Sequence, residues 1–180
     1  MRIIKEQAIG LVIDIQERLL PHMANNEDLL QNVKKLIAGL QVLDVPILVT
    51  DQYRKGLGES VTELKDLFQP FESIEKVAFS CYGEPVFADK LKASGKKFVI
   101  ICGIESHVCV LQTVLDLKEN GYIPVVVTDC VSSRKLSDKE IAMRRLIHEG
   151  AILTTSESIL FELTRAAGTD TFKAISKLVK

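Results

Sequence analysis

No apolar run in this 180-residue chain approaches the roughly 20 residues needed to span a bilayer, so membrane association has no support. Charge of one sign is missing too. The 23 basic and 24 acidic side chains leave a formal net charge of -1, and no basic block or aromatic-basic interleaving offers a surface to nucleic acid. The opening Met1-Arg-Ile-Ile-Lys-Glu has no apolar leader, small-residue cleavage site or arginine-rich segment, so a cytoplasmic location is expected. The cysteines Cys81, Cys102, Cys109 and Cys130 form no CxxC pair and have no histidine at metal-ligand spacing. Neither a zinc site nor a disulfide framework is expected, and each is read as a free thiol. Repeats, linkers and low-complexity stretches are absent as well, which predicts one domain over residues 1–180.

What is present is a 47% hydrophobic, 26% charged composition, ordinary for a compact globular chain with a full-sized core. Short β-branched apolar runs alternate with segments of helical period. Strands are predicted over Ala8–Asp14, Val45–Thr50, Ile74–Ala78, Lys97–Cys102, Ile123–Thr128 and Ala151–Thr154. Helices are predicted over Asp28–Leu43, Pro85–Ala93, from Cys109 to Asn120 with Gly121 in the αL position beyond it, Asp138–His148, a segment capped by Ser156, and Asp170 onward. Strands that are apolar throughout, placed between helices, imply a parallel sheet covered on both faces. The expected fold is therefore a three-layer α/β/α domain, Rossmann-like, with a mostly parallel six-stranded sheet.

Ligands of open parallel sheets collect beyond the carboxyl ends of the strands. Asp14 ends the first strand, Lys76 lies near the end of the third, and Cys109 follows the fourth at a helix N-terminus. A carboxylate, an ammonium and a thiol on one edge form a candidate nucleophilic site. The helix dipole and the ammonium would favour the Cys109 thiolate, while Asp14 would take the thiol proton and return it to a leaving group. Each residue also has a structural reading: Asp14 as a turn acid or N-cap, Lys76 as a solvated lysine, Cys109 as a small core filler.

The segments carrying these residues, "LVIDIQERL" (11–19), "EKVAFSCYG" (75–83), "VIICGIESHVCVLQTVLDLKENGY" (99–122) and "VVVTDCVSSR" (125–134), resemble the isochorismatase-like cysteine hydrolase superfamily in order and over nearly the whole chain. "TDQYRKGLG" (50–58) resembles the isochorismatase-domain-containing subgroup. The resemblance implies Cys109 as nucleophile, Asp14 as general base and acid, and Lys76 as the third triad member. It further implies a non-proline cis peptide at Ile104–Glu105, with the backbone N–H groups of Glu105 and Cys109 forming an oxyanion hole. Gln16, Gln52, Tyr53, Phe79 and Tyr82 are candidates for the substrate pocket, with core or structural roles open for each. Related proteins imply a homo-oligomer, a dimer or larger.

Two comparisons within the superfamily sharpen the chemistry. Isochorismatases proper, which cleave a vinyl ether, typically lack the cysteine, so Cys109 points to acyl chemistry on a small amide-like C–N bond. Nicotinamidases carry an Asp-x-His metal pattern where this chain reads Asp51-Gln52-Tyr53, so no catalytic metal and no other cofactor is expected. Arg54 replaces a usual proline of the subgroup. His107 would suggest a Cys–His dyad, but the resemblance assigns the base to the first strand. Cys81 is the second thiol to watch, because it lies near Lys76 in sequence. The competing readings are a non-catalytic binding or scaffold protein, ether hydrolysis, and a thiol redox function.

Overall fold

The apolar runs divide by simple alternation between two cores. Strand β1 (Ala8–Ile13) is buried at every position. Its Ala8 and Val12 face one hydrophobic cluster, and Ile9, Leu11 and Ile13 face the other. Strand β4 (Phe98–Ile104) does the same, sending Phe98, Ile100, Cys102 and Ile104 to the first cluster and Val99 and Ile101 to the second. A strand with apolar neighbours on both faces has no reason to alternate with polar residues, which is why these segments read as unbroken hydrophobic runs.

This computed structural model describes all 180 residues. The remaining strands are β2 (Ile47–Gln52), β3 (Ile74–Lys76), β5 (Ile123–Ser132) and β6 (Ile152–Thr154). All pair in parallel, in the order β3-β2-β1-β4-β5-β6. Helices α1 (Asn26–Val42), α7 (Ser156–Thr164) and α8 (Asp170–Val179) pack together. Leu29, Val33, Leu36, Ile37 and Leu40 of α1 join the larger core. Helices α4 (Pro85–Ser94), α5 (Leu111–Glu119) and α6 (Leu136–His148) supply Phe87, Leu91, Val114, Leu117 and Leu146 to the core on the other face. Two short helices, α2 (Arg54–Leu57) and α3 (Thr62–Lys65), lie between β2 and β3. No helix is long and apolar enough to cross a membrane. The three-layer, six-stranded parallel fold is as expected.

Three local features differ from the sequence reading. Helix α7 is capped by Thr155, whose side chain accepts from the Ser158 N–H, rather than by Ser156. Ser156 instead donates from its N–H and Oγ to the two carboxylate oxygens of Asp129, at 2.8 and 2.6 Å. Asp129 reaches them because β5 slips register against β4, from Ile101↔Val126 to Gly103↔Val131. Finally, the chain after β4 does not enter an α-helix at Cys109. It winds a π-turn over Ser106–Val110 before α5 begins.

The strand order changes direction between β1 and β4, so a crevice opens beyond the carboxyl ends of these two central strands. Gly103 is what lets them close up there. Its φ is 128°, and an added Cβ would lie 2.2 Å from the Ile13 carbonyl oxygen, inside any tolerable contact.

Candidate active site

Asp14, Lys76 and Cys109 converge at this crevice. Asp14 follows the last residue of β1, where the chain turns away with φ 54°. Lys76 ends the short edge strand β3 and reaches under β2 to place Nζ 2.7 Å from Asp14 Oδ2. The Cys109 thiol, carried by the π-turn, lies close to the same carboxyl group. Both Asp14 and Lys76 side chains are wholly buried, and Cys109 is only 5% exposed.

A buried lysine must find acceptors for its three hydrogens. Here Nζ approaches Gln52 Oε1 at 2.6 Å and the carbonyls of Phe79 and Ala78 at 3.0 and 3.3 Å, besides Asp14. Burial works against its charge, but the Asp14 carboxylate beside it prevails and holds the ammonium above the ordinary lysine value. Asp14 is pushed up by burial, against the opposing pull of Lys76, Thr50 and Cys109. A carboxylate raised in this way suits a base that must later return its proton.

The thiol differs from the sequence expectation. Burial first, and then the neighbouring Asp14 carboxylate, push the Cys109 thiol far up, despite the ammonium of Lys76. The resting group is therefore a neutral S–H beside a carboxylate, not a preformed thiolate. The π-turn supplies donors nearby. The Glu105 carbonyl accepts from Val108 and Val110 at 3.1 and 3.2 Å, passing over the Cys109 N–H between them. The Ile104–Glu105 peptide is cis.

The residues proposed for the pocket separate into two groups. The Gln16 amide is fully engaged in a clip: Nε2 donates to the carbonyls of Gln52 and Gly58 at 2.9 and 2.7 Å, and Oε1 accepts from the Gln52 N–H at 2.8 Å. The Gln52 side chain is occupied as well, by Lys76 at one end and by the Val77 carbonyl at 2.6 Å at the other. Gln52 thus holds the ammonium, and Gln16 holds the backbone of Gln52. Tyr53 and Phe79 are half exposed, and Val77 between β3 and Phe79 is largely exposed. Tyr82 is partly buried and tilts against Tyr122 with ring centroids 6.0 Å apart.

Arg54 folds back onto Asp51 at 3.0 Å and onto the Ser73 carbonyl at 2.9 Å. Asp51 also accepts from Ser60 and Ser73 hydroxyls, each at 2.6 Å, which leaves its carboxylate fully engaged in the loop. His107 bonds Ser133 Oγ at 2.9 Å through Nδ1. Two contributors escaped the sequence reading. Thr50 donates to Asp14 Oδ1 at 2.8 Å, and Thr113 accepts from the Cys81 N–H at 2.9 Å. A hydroxyl inside the apolar run of β2, paired with Ile13 and so next to Asp14, was the available signal.

A family model described as the isochorismatase domain matches residues 8–158. The chain belongs to the isochorismatase family. Isochorismatase domain-containing protein 2A of Mus musculus is 37% identical over 99% of the chain and 85% of its own length. Among solved structures, a protein described as MAR1 ribonuclease from Caenorhabditis elegans superposes with TM-score 0.92 at 36% identity, over 99% of this chain and 92% of that one. The Escherichia coli YcaC gene product, described as an octameric hydrolase of unknown specificity, superposes with TM-score 0.93 at 28% identity, over 99% and 89% of the two chains. Membership of this family supports a hydrolase.

Proposed function

We propose that the protein is a cysteine-dependent hydrolase that cleaves a small amide-like C–N bond through a thioester on Cys109. The observation that carries this reading is the buried cluster in which one carboxylate, Asp14, is bonded to the Lys76 ammonium and lies against the Cys109 thiol. In the first half-reaction Cys109 Sγ bonds to the carbonyl carbon while the thiol proton passes to Asp14. The carbonyl oxygen takes up the electron pair against the Glu105 and Cys109 N–H groups, each such donor contributing about 3 kcal/mol to the transition state. The C–N bond then breaks, and Asp14 gives its proton to the departing nitrogen. In the second half, water attacks the thioester carbonyl while Asp14 takes one of its protons; the C–S bond then breaks, Asp14 returns that proton to Cys109 Sγ, and the carboxylic acid leaves. Lys76 keeps Asp14 ionised at the start of each half and remains protonated throughout.

Coupling proton transfer to attack answers the high thiol pKa. With the carboxylate beside it, the sulfur gains nucleophilicity only as the proton leaves, and the energy of a separated buried thiolate is avoided. Tyr53, Val77 and Phe79 follow the carboxyl ends of β2 and β3 with exposed apolar surface, which suits a small substrate of low charge. The C. elegans relative is described as a ribonuclease; a net charge of -1 with no basic block argues against a polyanion here. As in the octameric E. coli relative, self-association is part of the proposal.

The test is incubation with a panel of small amides, carbamates, ureas and esters, followed by mass spectrometry of the intact protein, with an RNA digest run in parallel. Acyl mass on Cys109, lost in Cys109→Ala, is the expected result. Turnover that persists in Cys109→Ala would refute the thioester route, and RNA cleavage without any acyl adduct would replace it.

A further inference from the structure

Asp14 is held at both oxygens, and only one of the holders belongs to the expected triad. Oδ2 takes the Lys76 ammonium at 2.7 Å, and Oδ1 takes the Thr50 hydroxyl at 2.8 Å. The single hydrogen of Thr50 has two neighbours to choose between, Asp14 Oδ1 and Cys81 Sγ, the latter at 3.6 Å. An ionised carboxylate has no hydrogen to offer, so the Thr50 O–H must donate to it. That leaves an oxygen lone pair toward Cys81, and the S–H of Cys81 must be the donor in this second contact. Burial supports the assignment by pushing the Cys81 thiol up to about 11, which keeps its hydrogen in place.

Cys81 is itself fixed. Its N–H donates to Thr113 Oγ1 at 2.9 Å, and Thr113 stands one turn beyond Cys109 on the same helical segment. The element that presents the nucleophile therefore also anchors the chain of contacts that orients the base. Thr50 and Asp14 are further joined through the backbone, with Asp14 N–H on the Thr50 carbonyl at 3.1 Å. All of these groups lie in the dry interior, where a directed hydrogen bond has its largest effect.

We infer that Thr50 is a positioning residue of this centre: backed by the Cys81 thiol, its hydroxyl fixes Asp14 Oδ1 and keeps the carboxylate ionised so that it can accept the Cys109 proton. This rests on the hydrolase reading only through the base role given to Asp14. The groups with titrating protons that face Asp14 are Lys76 from β3, Cys109 from the π-turn, and Cys81 from the loop before α4. Lys76 stays charged and both thiols stay neutral through the acid range, so an acid limb in Cys109 reactivity reports Asp14.

The experiment measures the rate of Cys109 alkylation by iodoacetamide in the full chain between pH 4 and 8, read by peptide mass spectrometry. It compares wild type, Thr50→Val and Thr50→Ser. A hydrogen bond to the ionised form lowers a carboxyl pKa, so its removal should move the limb upward by about one pH unit. Below the limb, Thr50→Val should react about tenfold more slowly than wild type, and above it the two should converge. Thr50→Ser should restore the wild-type limb, which a simple packing role for the threonine methyl would not do. A Thr50→Val limb that superimposes on wild type, or a shift that serine fails to reverse, would overturn the inference. If Thr50→Val does not fold, Cys81→Ala provides the second reading. It should shift the limb in the same direction by less, and no shift there is equally decisive. Failure of the hydrolase reading would look different: no acyl adduct in wild type, with the alkylation limb still measurable.

Discussion

Replacing Lys76 by methionine tests whether the buried ion pair is the centre of the site. The substitution preserves length and packing while removing the ammonium that donates to Asp14 at 2.7 Å and Gln52 at 2.6 Å. Asp14 is then a buried acid whose strongest stabilising neighbour is gone, with Thr50 and Cys109 remaining. Breaking a buried pair from one side typically costs about 3–5 kcal/mol. For a chain of this size each kcal/mol corresponds to roughly 2–4 °C, so Tm at pH 7 should fall by about 6–20 °C. The sign of the pH dependence follows from linkage. The folded-state pKa of Asp14 already lies above its ordinary value and rises further in the variant. The native state then binds more protons than the unfolded state, and stability falls as pH climbs from about 4 toward neutrality. Lys76→Met should therefore be least impaired in acid, as seen by thermal denaturation at pH 4.5 and pH 7.5. Lys76→Met combined with Asp14→Asn removes both charges and should recover at least about 2 kcal/mol relative to the sum of the single changes. A Lys76→Met protein with wild-type Tm at both pH values, or single effects that simply add, would refute the reasoning.

Other consequences are independent of that pair. Gly103→Ala, at φ 128° and with its Cβ directed at the Ile13 carbonyl, should cost on the order of 3–5 kcal/mol. It should also slow Cys109 alkylation by spreading β1 from β4; thermal melts and peptide mass spectrometry check both. Asp129→Ala removes both acceptors of Ser156 at the start of α7 and should cost about 1–2 kcal/mol in urea denaturation without changing the acid limb of Cys109 reactivity. At neutral pH with Asp14→Asn in place, Cys109 should alkylate more slowly than in wild type. The variant lacks the proton acceptor, even though it also lacks the negative charge that opposes the thiolate.

The layered fold was legible because burial on two faces leaves a direct mark, an unbroken apolar strand, and six such marks separated by helical segments admit few arrangements. Asp14, Lys76 and Cys109 were legible for a related reason: each is a polar or reactive side chain at the carboxyl end of a strand, where the topology must bring it to one edge. Thr50 and Cys81 were not, because their roles depend on side-chain contacts across 36 and 31 positions of sequence, which require β2 to be in register with β1 and the loop after β3 to fold back beneath it. The same limit inverted the reading of the thiol. Taken singly, a helix start and a nearby lysine both favour a thiolate. Folding adds two opposing quantities that a sequence does not display, a cysteine only 5% exposed and an aspartate carboxylate beside its thiol. Since these prevail, charge separation at rest is disfavoured, and in the proposed reaction the proton crosses from sulfur to carboxylate during bond formation. In the proposed thioester route the rate then depends on the geometry of Asp14 rather than on the acidity of Cys109, and both oxygens of that carboxylate are held by donors from separate strands.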